Sequence, residues 1–297
     1  MLIILLKRIA DIDIRYLLFE QDMKNINFFK MSGSGNDFII IDNRENLIED
    51  KGLTSFITKV CARRMSVGAD GFILIENCDS ADFKWQFFNS DGSRAEMCGN
   101  GARCAARFAY INKIAGPNMS FVTDAGMVHA QVTDGRVKVN MMDPSYCEYD
   151  YQISLKTCPL KVSSLNTGVP HVVIMTDDIE GVDVAGIGRE IRFHENYAPA
   201  GTNVNFISGV KNKTIHIRTY ERGVEGETLA CGTGSIASAL VAARKYKVES
   251  PIDVITRSKG VLTIHFKQDN GRFYDIYLEG DARLVYKGEL GKDAWQY

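Results

Sequence analysis

Two cysteines stand at the head of matching motifs, and they are the residues of this chain best suited to chemistry. Cys98-Gly99-Asn100-Gly101 and Cys231-Gly232-Thr233-Gly234 each follow a strand-like run and a polar turn. A small apolar stripe follows each: Ala102, Ala105, Ala106 and Ala109 after the first, Ile236, Ala239, Leu240 and Ala243 after the second. This is the i, i+3, i+4, i+7 spacing of a buried helix face. A thiol at a helix start sits among unpaired backbone N–H groups and the positive end of the dipole. That placement is expected to lower its pKa from about 8.5. The glycines let a ligand approach the backbone, and the free N–H groups can hold a carboxylate. Two such thiols in related lobes fit a symmetric task. One thiolate takes a proton from one face of a carbon and one thiol returns a proton to the other.

Free cysteine usually just packs. That reading is preferred for Cys61, Cys78, Cys104, Cys147 and Cys158, which lack the glycine context and the duplication. Asn36, Asn89 and Asn203 fall in turns, where asparagine is common for backbone reasons alone. Beside the cysteines they become candidate ligands. His171 after Pro170 reads equally as a turn histidine, and Glu221 with Arg222 as a surface ion pair.

Composition narrows the function classes. At 297 residues the chain suggests about two domains. Lys plus Arg number 35 against 37 Asp plus Glu, a net charge of −2, which makes no electrostatic case for nucleic acid or an anionic membrane. Seven cysteines without short paired spacings are no disulfide framework and fit a reducing cytoplasm. No His/Cys cluster has zinc spacing, so no metal is expected. Met1 to Leu6 are apolar, but no basic segment precedes them and Lys7-Arg8 ends the run. A signal peptide needs a basic segment first and a membrane span about 20 apolar residues, so neither is expected here. Residues 1–22 are expected to lie outside a fold that begins near Met23.

The elements that must position the cysteines repeat in order. Ile26 and Phe28 alternate with polar residues as on an edge strand. Gly33 to Phe38 is a glycine turn, and Ile39 to Asp42 returns as a buried strand. Thr54 to Met65 reads as helix, Phe72 to Glu76 and Phe83 to Phe88 as strands, and Asn89 to Gly92 as the turn before Cys98. Phe121 to Met142 reads as strands with turns at Gly126 and Asp134-Gly135. Asp143-Pro144 is the expected boundary. In the second half, Gly201 to Phe206 echoes the first glycine turn. Glu221 to Gly223 ends a strand before Cys231, and Asn270-Gly271 marks a late hairpin. Three matched features in the same order imply a duplicated α/β lobe with a central cleft. The copies are too few and too long for a solenoid.

At these residues the sequence resembles the diaminopimelate epimerase family. The resemblance is carried by Met31 to Asp42 (MSGSGNDFIIID), Gly68 to Gly71, Phe88 to Phe108 (FNSDGSRAEMCGNGARCAARF) and Arg218 to Gly234 (RTYERGVEGETLACGTG). It implies an α/β (α+β) fold of two pseudo-symmetric lobes, each a curled mixed sheet around a central helix. The lobes would comprise residues 23–140 with 280–297, and residues 141–279. It implies cofactor-independent epimerisation of LL- to meso-diaminopimelate, for lysine and peptidoglycan synthesis, by a cytoplasmic homodimer. Cys98 and Cys231 would be acid and base. Gly99, Asn100, Gly232 and Thr233 would hold the reacting carboxylate. Asn36, Asn89, Asn203, Glu221 and Arg222 would contact substrate, and His171 and Glu221 would tune the thiols or orient the α-amino group. Val169 departs from the family, which often places Asn before the Pro-His pair. Two other readings fit the residues: a proline-racemase-like enzyme of the same fold, and a binding protein with a redox-active cysteine pair.

Overall fold

The computed structural model describes residues 26–156 and 158–297. The expected extension over 1–22 and the fold's start at Met23 lie outside them. Among the described residues the first half contributes β1 (Ile26–Gly33), β2 (Asn36–Asp42), α1 (Leu53–Val60), β3 (Gly71–Glu76) and β4 (Phe83–Asn89). It continues with α2 (Gly99–Ile111), β5 (Asn118–Thr123), β6 (Gly126–Thr133) and β7 (Arg136–Asn140). The second half runs through β8 (Ser145–Ser154), β9 (Pro159–Asn166), β10 (Pro170–Met175), α3 (Val184–Arg192), β11 (Asn203–Lys211) and β12 (Thr214–Glu221). It ends with β13 (Gly226–Thr228), α4 (Gly232–Tyr246), β14 (Ile252–Ile255), β15 (Val261–Asp269), β16 (Arg272–Asp281) and β17 (Arg283–Leu290).

The strands hydrogen-bond in one path. Its centre is the antiparallel pair β7–β16. Outward through the first lobe come β6, β5, β4, β3, β2, β1 and β17, and β4–β5 and β2–β3 are the parallel pairs. Outward through the second come β15, β14, β12, β11, β10, β9 and β8, and β12–β14 and β10–β11 are the parallel pairs. Both halves thus have the same sequence of pairings, which is the pseudo-two-fold symmetry of the fold. β17 crosses back to pair with β1, Ile26 opposite Leu290. Trp295 then packs edge-on against Phe56.

Each sheet curls around its own helix. α2 packs on β1, β2, β3, β6 and β7, and α4 on β9 to β12 and on β14 and β15. The alanine stripes explain this, because short side chains let strands approach on several sides. Ala102, Ala105, Ala106 and Ala109 are fully buried, as are Ile236, Ala239 and Leu240. The expected hairpin turns form: Asp134-Gly135 joins β6 to β7 and Asn270-Gly271 joins β15 to β16, both residues of each at positive φ.

The structure corrects two expectations. β1 is interior, flanked by β17 and β2. Both of its faces meet a core: Ile26 and Phe28 join the cluster around α1, and Phe29 and Met31 the cluster around α2. The counterpart of the Gly33–Asn36 turn is the Asn166–Pro170 turn, with Gly35 at φ 99° and Gly168 at φ 105°. Gly201 (φ 69°) instead matches Gly68 (φ 72°), each before the strand that runs parallel to the preceding one. Glycine and asparagine serve both kinds of turn, so sequence likeness alone paired the wrong ones.

Candidate active site

Both cysteines cap their helices from extended backbone, Cys98 at φ −146°, ψ 117° and Cys231 at φ −122°, ψ 114°. This is the ordinary N-cap conformation. Cys98 Sγ accepts from the Gly101 N–H at 3.4 Å, and Cys231 Sγ lies 3.6 Å from Thr233 Oγ1. They open onto one cleft of about 650 Å³ between the lobes. Its wall also includes Gly99, Asn100, Gly232 and Thr233 from the two helix starts. Asn36, Asn89 and Glu221 complete the expected set that lines it.

A single methyl group brings the helix starts together. Leu278 on β16 is fully buried and pairs with Val139 of β7 at the symmetry axis. A Cβ built on Gly99 would lie 3.0 Å from Leu278 Cδ2, and one built on Gly232 would lie 2.9 Å from the same atom. Glycine is needed at both places so that two helix N-termini can converge on one leucine.

On the α2 side a polar chain holds the cleft wall. Fully buried Arg103 donates to Asn100 Oδ1 at 2.8 Å. Asn100 donates to Asn36 Oδ1 at 2.5 Å, and Asn36 Nδ2 lies 3.3 Å from Asp70 Oδ2. Arg63 then ties Asp70 to Asp37. Burial raises the Asp37 carboxyl, but hydrogen bonds from Arg63 and Lys30 outweigh this and hold it at about 2. On the α4 side, Asn205 performs the bracing. Its amide lies 3.2 Å from His171 Nδ1 and donates to the Val172 carbonyl, while its oxygen accepts from Thr219. A Cβ on Gly234 would strike Asn205 Oδ1.

Burial dominates the electrostatics. It pushes the Cys98 thiol up, against N–H bonds from Gly101 and Asn100 and the charge of Arg103. It pushes Cys231 up to about 12, with Glu221 adding to the rise. Helix starts were expected to lower both. The N–H contribution is present, but loss of water around a buried thiolate outweighs it. Burial also raises Glu221, and it lowers His171 to about 3, aided by the Arg222 charge. His171 is therefore a neutral imidazole whose Nε2 has no partner among the described residues.

Three expected site residues do not line the cleft. Asn203 is buried and donates to the Pro170 carbonyl while accepting from the Arg222 N–H, which makes it a brace for the β10–β11–β12 corner. His171 lies behind the wall, against Asn205. Arg222 is half-exposed and donates to the Ala200 carbonyl at 3.2 Å. Val169 does line the cleft, with Met97, Met127, Met141 and Met142. Sequence reasoning missed Arg103, Asn205 and Leu278. An arginine five residues after one cysteine, where the other has Ile236, was the available signal for Arg103; Leu278 carries none.

A two-lobed sheet path in which each sheet is folded about its own helix defines a class of protein, and solved structures share that fold. A phenazine biosynthesis protein of the PhzF family from Bacillus anthracis superposes with a TM-score of 0.71 at 16% identity, covering 90% of this chain and 99% of that one. A probable proline racemase from Agrobacterium radiobacter K84 gives 0.64 at 14% identity, covering 91% and 94%. At such identities the likeness is one of fold. The sequence is more specific: the family model for diaminopimelate epimerase matches residues 28–147 and 163–285. Diaminopimelate epimerase of Aquifex aeolicus is 47% identical over 283 residues, covering 92% of this chain and all of that protein. That of Methanocella arvoryzae is 42% identical, covering 91% and 99%. The chain belongs to the diaminopimelate epimerase family.

Proposed function

We infer that this protein epimerises LL-diaminopimelate to meso-diaminopimelate by proton exchange between Cys98 and Cys231. The observation that carries the reading is the convergence of two cysteine-capped helix starts on one methyl group, which puts both thiols on a single cleft. The reacting carboxylate is held between the N–H groups of Gly99, Asn100, Gly232 and Thr233, where both helix dipoles favour an anion. One sulfur removes the α-proton from one face and the other protonates the opposite face. Burial keeps the thiols protonated at rest, so the substrate must help ionise one. Its α-ammonium brings a positive charge into the same low-dielectric site and favours a thiolate there. Glu221, on the cleft wall, orients that ammonium. Neutral His171 braces the α4 side through Asn205 and takes no proton itself.

Distal selection falls to Asn36 and Asn89 on the cleft wall and to Arg222, whose guanidinium must leave the Ala200 carbonyl to meet the substrate's far carboxylate. Arg222 offers a planar fork for a carboxylate. The methionine wall covers the substrate's methylene chain. The product would serve lysine and peptidoglycan synthesis, and a homodimer is expected by sedimentation. The test is a substrate panel of diaminopimelate, glutamate, alanine and proline, read by α-proton exchange in heavy water. Diaminopimelate should dominate. Cys98→Ala and Cys231→Ala should each abolish epimerisation, with losses of roughly 10²–10⁴-fold or more. Full activity in both variants would refute the two-thiol mechanism, and a preference for proline would refute the substrate.

A further inference from the structure

Arg103 is 0% exposed, yet no carboxylate pairs with it among the described residues. Its guanidinium reaches four neutral acceptors. They are Asn100 Oδ1 and Ser34 Oγ, both at 2.8 Å, and the Asp281 and Gly99 main-chain carbonyls, both at 3.3 Å. The Asp281 carboxylate points elsewhere, to Ser34 and, at 3.0 Å, to Arg283. Buried charges are ordinarily paired, because an isolated one is strongly unfavourable. A cation held this way implies an anion that forms nearby during function.

Position decides which anion. Arg103 lies five residues after Cys98, under the start of the helix that Cys98 caps. The residue five after Cys231 is Ile236, also fully buried. The charge acting on Cys231 is instead that of Glu221. The two halves of the site match in backbone and differ in charge, with a buried cation behind one sulfur and none behind the other.

We propose that Arg103 is a positioning residue, a buried counter-charge that makes Cys98 the sulfur that ionises first and leaves the proton on Cys231. The other titratable groups around Cys98 are Cys104 on α2, Glu221 on β12, Cys231 on α4, and, around Arg103 itself, Asp281 at the end of β16 and Arg136 on β7. Glu221 opposes a charge on either sulfur and weighs more on Cys231, so it acts in the same direction as Arg103. Arg103 also fixes Asn100 and, through it, Asn36, so the same side chain sets charge and wall geometry. The proposal rests on the two-thiol reading.

The experiment is the pH dependence of iodoacetamide alkylation of Cys98 and Cys231 in the full chain, resolved by peptide mass mapping. In wild type, the Cys98 midpoint should lie below that of Cys231 by about one pH unit or more, a roughly tenfold difference in thiolate fraction at neutral pH. Arg103→Met should raise the Cys98 midpoint and narrow its gap to Cys231, while Arg103→Lys, which keeps the charge, should preserve the gap. A lower midpoint for Cys231 in wild type overturns the proposal, even if Arg103→Met does not fold. So does a folded Arg103→Met with an unmoved Cys98 midpoint. Loss of the proposed function shows separately, as absent epimerisation by wild type, and does not alter the alkylation order.

Discussion

Gly232→Ala tests the convergence of the two helices most directly. Its backbone is not in the left-handed region, so alanine is sterically allowed locally and gains about 0.5–1 kcal/mol over glycine within a helix. The new Cβ, however, falls 2.9 Å from Leu278 Cδ2. Carbon atoms rest at about 3.5–4.0 Å, so the helix start or the leucine must give by about half an ångström or more. Overpacking costs about 1–3 kcal/mol, and net destabilisation should be about 0–2.5 kcal/mol. The effect on catalysis should be larger in proportion. A misplacement of about 1 Å costs roughly 10²-fold, so a half-ångström shift of the α4 start should lower kcat/KM for diaminopimelate about tenfold. The assay is kcat/KM and urea unfolding of Gly232→Ala, Leu278→Ala and the double variant. Leu278→Ala alone should cost about 2–5 kcal/mol of stability. In the double variant the added methyl partly fills the space, with a favourable coupling of roughly 0.5–3 kcal/mol. Strict additivity, or undiminished kcat/KM in Gly232→Ala, would refute the wedge role of Leu278.

Three further outcomes are expected. Mild oxidation should inactivate the enzyme through a Cys98–Cys231 disulfide that a thiol reductant reverses; inactive protein with both thiols free by peptide mapping would contradict this. His171 ordinarily titrates near 6.5 and is held to about 3 in the fold. The unfolded chain therefore binds one more proton between those values, and stability falls as pH drops through that window, by up to about 1.4 kcal/mol per pH unit. His171→Gln should lose this slope in urea midpoints compared at about pH 6.5 and pH 4.5; an unchanged slope means that the imidazole is charged in the fold. Arg222→Lys should lower kcat/KM for diaminopimelate and narrow its preference over lysine and glutamate, while Val169→Asn should be neutral or mildly beneficial; an unchanged preference in Arg222→Lys removes it from distal recognition.

Much of this protein is written locally. The two Cys-Gly-x-Gly motifs, their small-residue helices and the Asp134-Gly135 and Asn270-Gly271 turns each depend on a few neighbouring residues, so they are legible in the sequence. The duplication is legible for the same reason, and family likeness extends it to a site. Register is not local. Which glycine turn matches which, and that β1 is flanked on both sides, depend on pairings between distant strands.

The site divides along the same line. Cys98, Cys231 and the four helix-start residues around them are declared by their motifs, because an N-cap is defined by the few residues after it. Asn203 was readable as a turn residue but not as a brace, since its partners are the Pro170 carbonyl and the Arg222 N–H. The direction of the thiol pKa shifts also came from the tertiary structure. The helix-start contribution is local, whereas the desolvation that exceeds it comes from burial by both lobes. Leu278 meets Gly99 and Gly232 only after β16 has crossed to β7, and Arg103 becomes a buried cation only once β1, β16 and α2 close around it. Chemistry carried by adjacent residues could be read from the chain, while spacing, solvent exclusion and the placement of a distant charge required the packed fold.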